Sequence, residues 1–243
     1  MTLPTRQIKA LCFDYCNTLV EYGRRQIADQ YSTLGDLLSE LFGACDRDRL
    51  QEIRDKQALA PYSNGFREND PREISEELIT ELYGVAPEEE HVERIMRTRY
   101  ETFVKAITLD ENVLRLLTRL SERYRLSLIS NYPCSRSIRD SLEKIGLSGM
   151  FASVVISADV GYIKPDGRPF ESLTSELGLS PSQCVLIGDN WLADVQGAKR
   201  AGMYAIHLKQ HVPYERFESS QEDHDPDASI GHIEELGQIL LDD

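Results

Sequence analysis

The sequence has no Cys-x-x-Cys pair, no apolar run near the roughly 20 residues that span a bilayer, and few basic residues for its acidic ones. Each absence removes a class of function. The cysteines are five, an odd number, and two of them (Cys12 and Cys184) sit in apolar runs that read as buried strands. A disulfide framework and a zinc knuckle are therefore not expected, and a reducing compartment is. Met1 to Lys9 lack the apolar stretch of a signal peptide, so a cytoplasmic location is expected. Lys and Arg total 27 against 41 Asp and Glu, a formal charge of −14. Such a chain repels nucleic-acid phosphates and acidic lipid, which argues against both as partners. No pattern reports an oligomeric state.

What is present is enough apolar sequence, 41% of 243 residues, to bury a sizeable interior. Ile8 to Phe13 reads as a buried strand. From about residue 22 to 106 the pattern becomes helical, with stripes at spacings of three and four. One is Leu34, Leu37, Leu38, Leu41 and Phe42; a second is Ile74, Leu78, Ile79 and Leu82; a third runs from Val92 to Phe103. Loop signals at Pro61 to Gly65 and Gly84 to Pro87 divide this block into about four helices.

Beyond Asp110 short apolar runs alternate with helical stretches. Strands are expected at 126–130, 153–157, 184–188 and 204–208, and helices at 110–122, 135–145, 168–177 and 192–201. The polar segment 211–227 reads as a loop, followed by a last short strand and helix. This alternation implies a parallel sheet covered on both faces. The first strand needs partners, so the expectation is an α/β, Rossmann-like parallel-sheet core (1–21 and 107–243) with a helical insert at 22–106.

Ligands of open parallel sheets bind beyond the carboxyl ends of the strands. Asp14, Cys16 and Thr18 follow the first strand, and Ser130 and Asn131 the second. Lys164 and Pro165 follow the third by a short loop, and Gly188, Asp189 and Asp194 come at or after the fourth. Each alone is commonplace, as a cap, a turn or a solvated lysine. Together, at successive strand ends, they place carboxylates, a hydroxyl and an ammonium on one edge.

In that order, Asp14-x-x-x-Thr18-Leu19, Ser130-Asn131, Lys164-Pro165-Asp166 and Gly188-Asp189 with Asp194 resemble the motifs of the haloacid dehalogenase superfamily. Most of its members are magnesium-dependent phosphohydrolases, and many carry a helical cap where this chain has its insert. The resemblance implies that Asp14 is a nucleophile forming an aspartyl-phosphate with a small phosphorylated substrate. It implies Mg²⁺ held by Asp14, Asp189 and the backbone carbonyl of Cys16, with Asp194 acting from behind. Ser130 and Lys164 would bind the phosphoryl group, and Asn131 would help position the substrate.

One position departs from the pattern. Family phosphatases have a second aspartate two residues after the nucleophile, as general acid and base; here it is Cys16. A thiol differs from a carboxyl by more than four pKa units, roughly 8.5 against 4. Three consequences stay open: slow hydrolysis or use of a good leaving group, a longer-lived phosphoenzyme favouring transfer, or a fold retained for binding. Metal-free attack on a carbon–halogen bond is also compatible with Cys16. Against it, Asp189 beside Asp14 and Asp194 would form an anionic cluster without a cation.

Overall fold

The computed structural model describes residues 3–210 and 224–241. Strands β1 (Ala10–Phe13), β2 (Arg125–Ser130), β3 (Ser153–Ile156), β4 (Cys184–Gly188), β5 (Tyr204–Leu208) and β6 (Ala228–Ile230) form one sheet. Their order is β3-β2-β1-β4-β5-β6, and every pairing is parallel. The sequence explains the central place of β1. All four of its residues are apolar and fully buried, so both faces can be covered. Leu11 and Phe13 face one apolar cluster with Leu126, Leu128, Val185 and Ile187. Ala10 and Cys12 face the other, with Phe170, Leu173, Leu186 and Ala205. The chain leaves β1 for β2 on one side, while β4 packs on the other, which opens a crevice at the carboxyl end of β1.

Between β1 and β2 lie four helices and then a fifth: α1 (Arg24–Phe42), α2 (Arg47–Ser63), α3 (Pro71–Tyr83), α4 (Glu89–Ala106) and α5 (Glu111–Ser121). The first four share their own apolar cluster, in which Leu34, Leu38, Leu50, Ile53, Leu78, Ile79, Val92 and Ile95 are buried. Phe103, on the third apolar stripe, does not stay with them. It joins the cluster under the sheet, between Tyr22 and Tyr132 at ring distances of 4.8 and 4.2 Å.

Further along the chain come α6 (Ser135–Lys144), a single turn α7 (Ser157–Val160), α8 (Gly167–Leu177), α9 (Gly197–Arg200) and α10 (Leu236–Leu240). Asp110 caps α5 as expected, accepting from the amide of Asn112 at 2.7 Å. The single helix expected over 192–201 is broken in two: a π-helical turn, Trp191–Gln196, runs into α9. In it both Asp194 and Val195 donate their amides to the carbonyl of Asn190, at 2.9 and 3.3 Å. Most of the polar stretch expected as a loop lies outside the described residues. Its last few residues, 224–227, are held down: His224 and Gln196 exchange two hydrogen bonds of 2.8 Å, and Asp227 pairs with Lys199 at 2.8 Å.

A tether joins the helices to the sheet. The amide of Glu68 donates to the carbonyl of Gly161 at 3.0 Å, and that of Ile163 to Phe66 at 2.8 Å. Arg67 and Tyr162 thus form a short antiparallel bridge, and the Ser157 hydroxyl donates to the Glu68 carboxylate. Among the described residues no helix is long and apolar enough to cross a membrane.

Candidate active site

Asp14 is the first residue past β1, and its amide donates to the carbonyl of Ile187 on β4 at 2.9 Å. Its side chain is therefore fixed at the crevice between the two central strands. The chain then turns tightly. Asn17 takes a left-handed conformation, φ 60°, and its amide reaches the Val20 carbonyl at 2.6 Å. Tyr15 points into the interior, where its hydroxyl lies 2.8 Å from that of Ser141. It cannot stand in for the missing acid. Thr18 turns back, donating weakly to Asp14 Oδ2 at 3.3 Å and to Asp189 Oδ1 at 3.5 Å.

Lys164 is 1% exposed, the reverse of a solvated lysine. All three of its protons are used: Nζ donates to Asp14 Oδ1 at 2.7 Å, Asp194 Oδ1 at 2.6 Å and the Ile129 carbonyl at 2.9 Å. Burial opposes its charge, but the two carboxylates outweigh that and push its pKa up. In this arrangement Lys164 holds Asp14 and Asp194, where the sequence suggested a charge held out to substrate. Asn131 likewise serves Lys164: its Nδ2 donates to the Lys164 carbonyl at 3.0 Å, and its Oδ1 accepts the Lys164 amide at 2.7 Å. The amide expected to position substrate thus also seats the lysine. Ser130 ends β2 beside it, 3% exposed and in register with Ile156.

Asp189 and Asp194 complete the group. Carboxylate oxygens of Asp14, Asp189 and Asp194 lie within 4.8 Å of one another, all three residues buried. The π turn aims Asp194 inward, and its Oδ2 accepts the Asn190 amide at 2.9 Å. Gly188 makes room: a Cβ there would lie 2.3 Å from Asp194 Oδ2. His207, for which no sequence pattern suggests a role, sits behind Asp189, with Nε2 3.2 Å from the Asp189 carbonyl and its ring against Trp191.

Three carboxylates against one ammonium leave two negative charges in excess when all are ionised. Burial, then the neighbouring carboxylates, pushes Asp189 up to about 9. Asp14 rises to about 6, through burial against the pull of Lys164. Burial and the same carboxylates hold the Cys16 thiol well above its usual value, so it stays protonated. Hard oxygen donors with this charge excess fit a hard divalent cation.

A family model described as haloacid dehalogenase-like hydrolase matches residues 60–208. The chain belongs to this family. Glyceraldehyde 3-phosphate phosphatase of Methanopyrus kandleri is 26% identical over 234 residues, 96% of this chain and 97% of the relative. Phosphoserine phosphatase of Thermus thermophilus is 32% identical over 184 residues, 74% of this chain and 67% of the relative. Among solved structures, a 2-haloacid dehalogenase from Pseudomonas syringae pv. tomato matches with TM-score 0.73 at 24% identity, covering 96% of this chain and 98% of its own. The HAD-hydrolase YfnB of Bacillus subtilis, described as bound to magnesium with interdomain movement, matches with TM-score 0.70 at 20% identity and the same coverage. At such identities the two structures share the fold. As a haloacid dehalogenase-like hydrolase, this chain gathers Asp14, Lys164, Asp189 and Asp194 at the carboxyl edge of its sheet, with Cys16 two residues after Asp14.

Proposed function

We propose that the chain is a magnesium-dependent phosphohydrolase acting on a small phosphorylated metabolite, with residues 22–106 as a cap over the strand ends. The observation that carries this reading is the buried group of Asp14, Asp189 and Asp194 around Lys164. Its supports in kind are relatives named as phosphatases.

Asp14 Oδ1 is fixed by Lys164, and Oδ2 is held only by the long Thr18 contact, so Oδ2 is the atom free to attack. It forms a bond to phosphorus as the ester oxygen leaves with the electron pair and takes a proton from water. Water then cleaves the aspartyl-phosphate, releasing phosphate and restoring Asp14. Ser130 would donate to a phosphoryl oxygen. Asp14, Asp189, Asp194 and the Cys16 carbonyl would hold Mg²⁺, which supplies the positive charge that lets a phosphate dianion approach a carboxylate. Lys164 keeps Asp14 ionised and oriented during the approach.

Cys16 leaves the second step without a carboxylate base. Its thiol is no substitute acid in the first step either, because giving up the proton would leave a thiolate beside Asp14 and Asp189, which burial and both carboxylates disfavour. A phosphoenzyme that outlives that of a two-aspartate site is the expected consequence. Cys16→Asp is expected to raise hydrolysis of phosphate esters by about tenfold or more, the lower range of general acid–base catalysis. A silent substitution in an enzyme that already turns over well would overturn this account of Cys16.

Melting experiments test the cation. The folded-state pKa values of Asp14 (about 6) and Asp189 (about 9) lie above those of an unfolded chain. Their contribution to stability is therefore full below roughly pH 4 and is lost as pH rises through the folded values. Metal-free protein should melt lower at pH 8.5 than at pH 5.5. Mg²⁺ competes with those protons, so its stabilising shift should be larger at pH 8.5; an equal or smaller shift there counts against the site.

A second reading is attack of Asp14 on carbon with release of halide. Cys16 favours it, because that chemistry needs no carboxylate at this position. Chloride release from 2-chloropropionate in the presence of a chelator would establish it. Fluoroberyllate inhibition together with turnover on a panel of phosphate esters would establish the first.

A further inference from the structure

A cavity of about 400 Å³ lies between helices α1–α4 and the loops after β2 and before Lys164. Its size suits the organic part of a small ligand. It lies beside the carboxylate group, for Asn131, which grips the Lys164 backbone, forms part of its wall.

Two buried polar atoms in that wall have no hydrogen-bond partner: Arg99 Nε and Ser137 Oγ. Ser137 is 1% exposed. Buried donors are ordinarily satisfied, so their gathering on one cavity points to a ligand rich in acceptors.

The charge in the wall has the same sense. Arg54 and Arg99 both line it, and among the described residues neither is in an ion pair. Arg54 stacks over the Tyr31 ring at 4.3 Å. Glu68 is the one carboxylate in the wall among the described residues, and it already accepts from Ser157 Oγ and the Asn69 amide. Helix α6 starts here, with Cys134 and Ser137 in the wall, no acidic residue in its first turn and no side-chain cap. Its positive end faces the cavity. All this stands in a chain of net charge −14.

We propose that the substrate carries a second anionic group, a carboxylate or a second phosphate, on its organic part, and that Arg99, Ser137 and the start of α6 bind it in this cavity. The planar guanidinium fork matches the paired oxygens of either group. That the other end is a phosphoryl group facing Asp14 rests on the phosphohydrolase reading; the anion seat does not.

Titration calorimetry of the wild-type protein with Mg²⁺ tests it, using phosphonates that cannot be hydrolysed. The three ligands are 3-phosphonopropionate, 1,3-propanediphosphonate and propylphosphonate, which lacks a second anion. One of the first two should bind at least about tenfold tighter than propylphosphonate, and which of them does so identifies the second group. Arg99→Met should bring that ligand to within about twofold of propylphosphonate, and Ser137→Ala should narrow the gap by about threefold. Ser137→Ala carries the test alone if Arg99→Met does not fold. Equal affinity for all three, including no binding of any, overturns the proposal, as does a gap that survives the substitutions. Absence of turnover on every phosphate ester with the gap intact overturns the phosphohydrolase reading and leaves the anion seat standing.

Discussion

Asp14→Asn is expected to end turnover while leaving the metal-free protein as stable as before, or more so. Loss of a nucleophile costs about 10⁴-fold or more in kcat, and no trapped phosphoenzyme should form. The stability follows from the same burial that makes Asp14 a tense anion. Its folded pKa of about 6, raised first by burial, exceeds that of an unfolded aspartate. Above pH 6 the folded state bears an ionised carboxylate it resists, and an amide does not ionise. Melting at pH 8 without cation should therefore be unchanged or higher, and the Mg²⁺ shift smaller. Residual turnover on the scale of the wild type would mean that another atom attacks.

Lys164→Met should have the opposite signature, a folding defect as large as the kinetic one. The ammonium is 1% exposed and satisfies two carboxylates and a carbonyl. Removing one partner of a buried ion pair typically costs about 3–5 kcal/mol, because the other charge stays buried. For a chain of this length that is a fall in melting temperature of roughly 10 °C. The defect should deepen as pH rises and the carboxylates ionise, and Mg²⁺ should reverse much of it. Adding Asp194→Asn should restore stability, since the pair is coupled. A single variant that melts within a degree of the wild type between pH 6 and 9 would refute the charge balance described for this site.

Much of the fold was readable because burial leaves a pattern. β1 and β4 are short apolar runs with polar residues at their carboxyl ends, and the stripes of α1, α3 and α4 recur at three and four. The residues on strand ends were readable for the same reason, since a parallel sheet gathers them whatever lies between. The long-range contacts were not. Asn131 meets Lys164 across 33 positions, and His207 meets the Asp189 carbonyl across 18. The π turn has the composition of an ordinary helix, and its extra residue comes from two amides sharing the Asn190 carbonyl. Arg54, Arg99 and Ser137 come from three different helices, none with a motif around it.

Lys164 directly follows Ile163, whose amide is bound to Phe66 in the turn between α2 and α3. A pair of backbone hydrogen bonds and the Ser157–Glu68 contact fasten the helices to the loop that carries the ammonium. The helical layer and the buried charge group are thus stitched at adjacent positions of one short loop, Ile163 to the helices and Lys164 to Asp14 and Asp194.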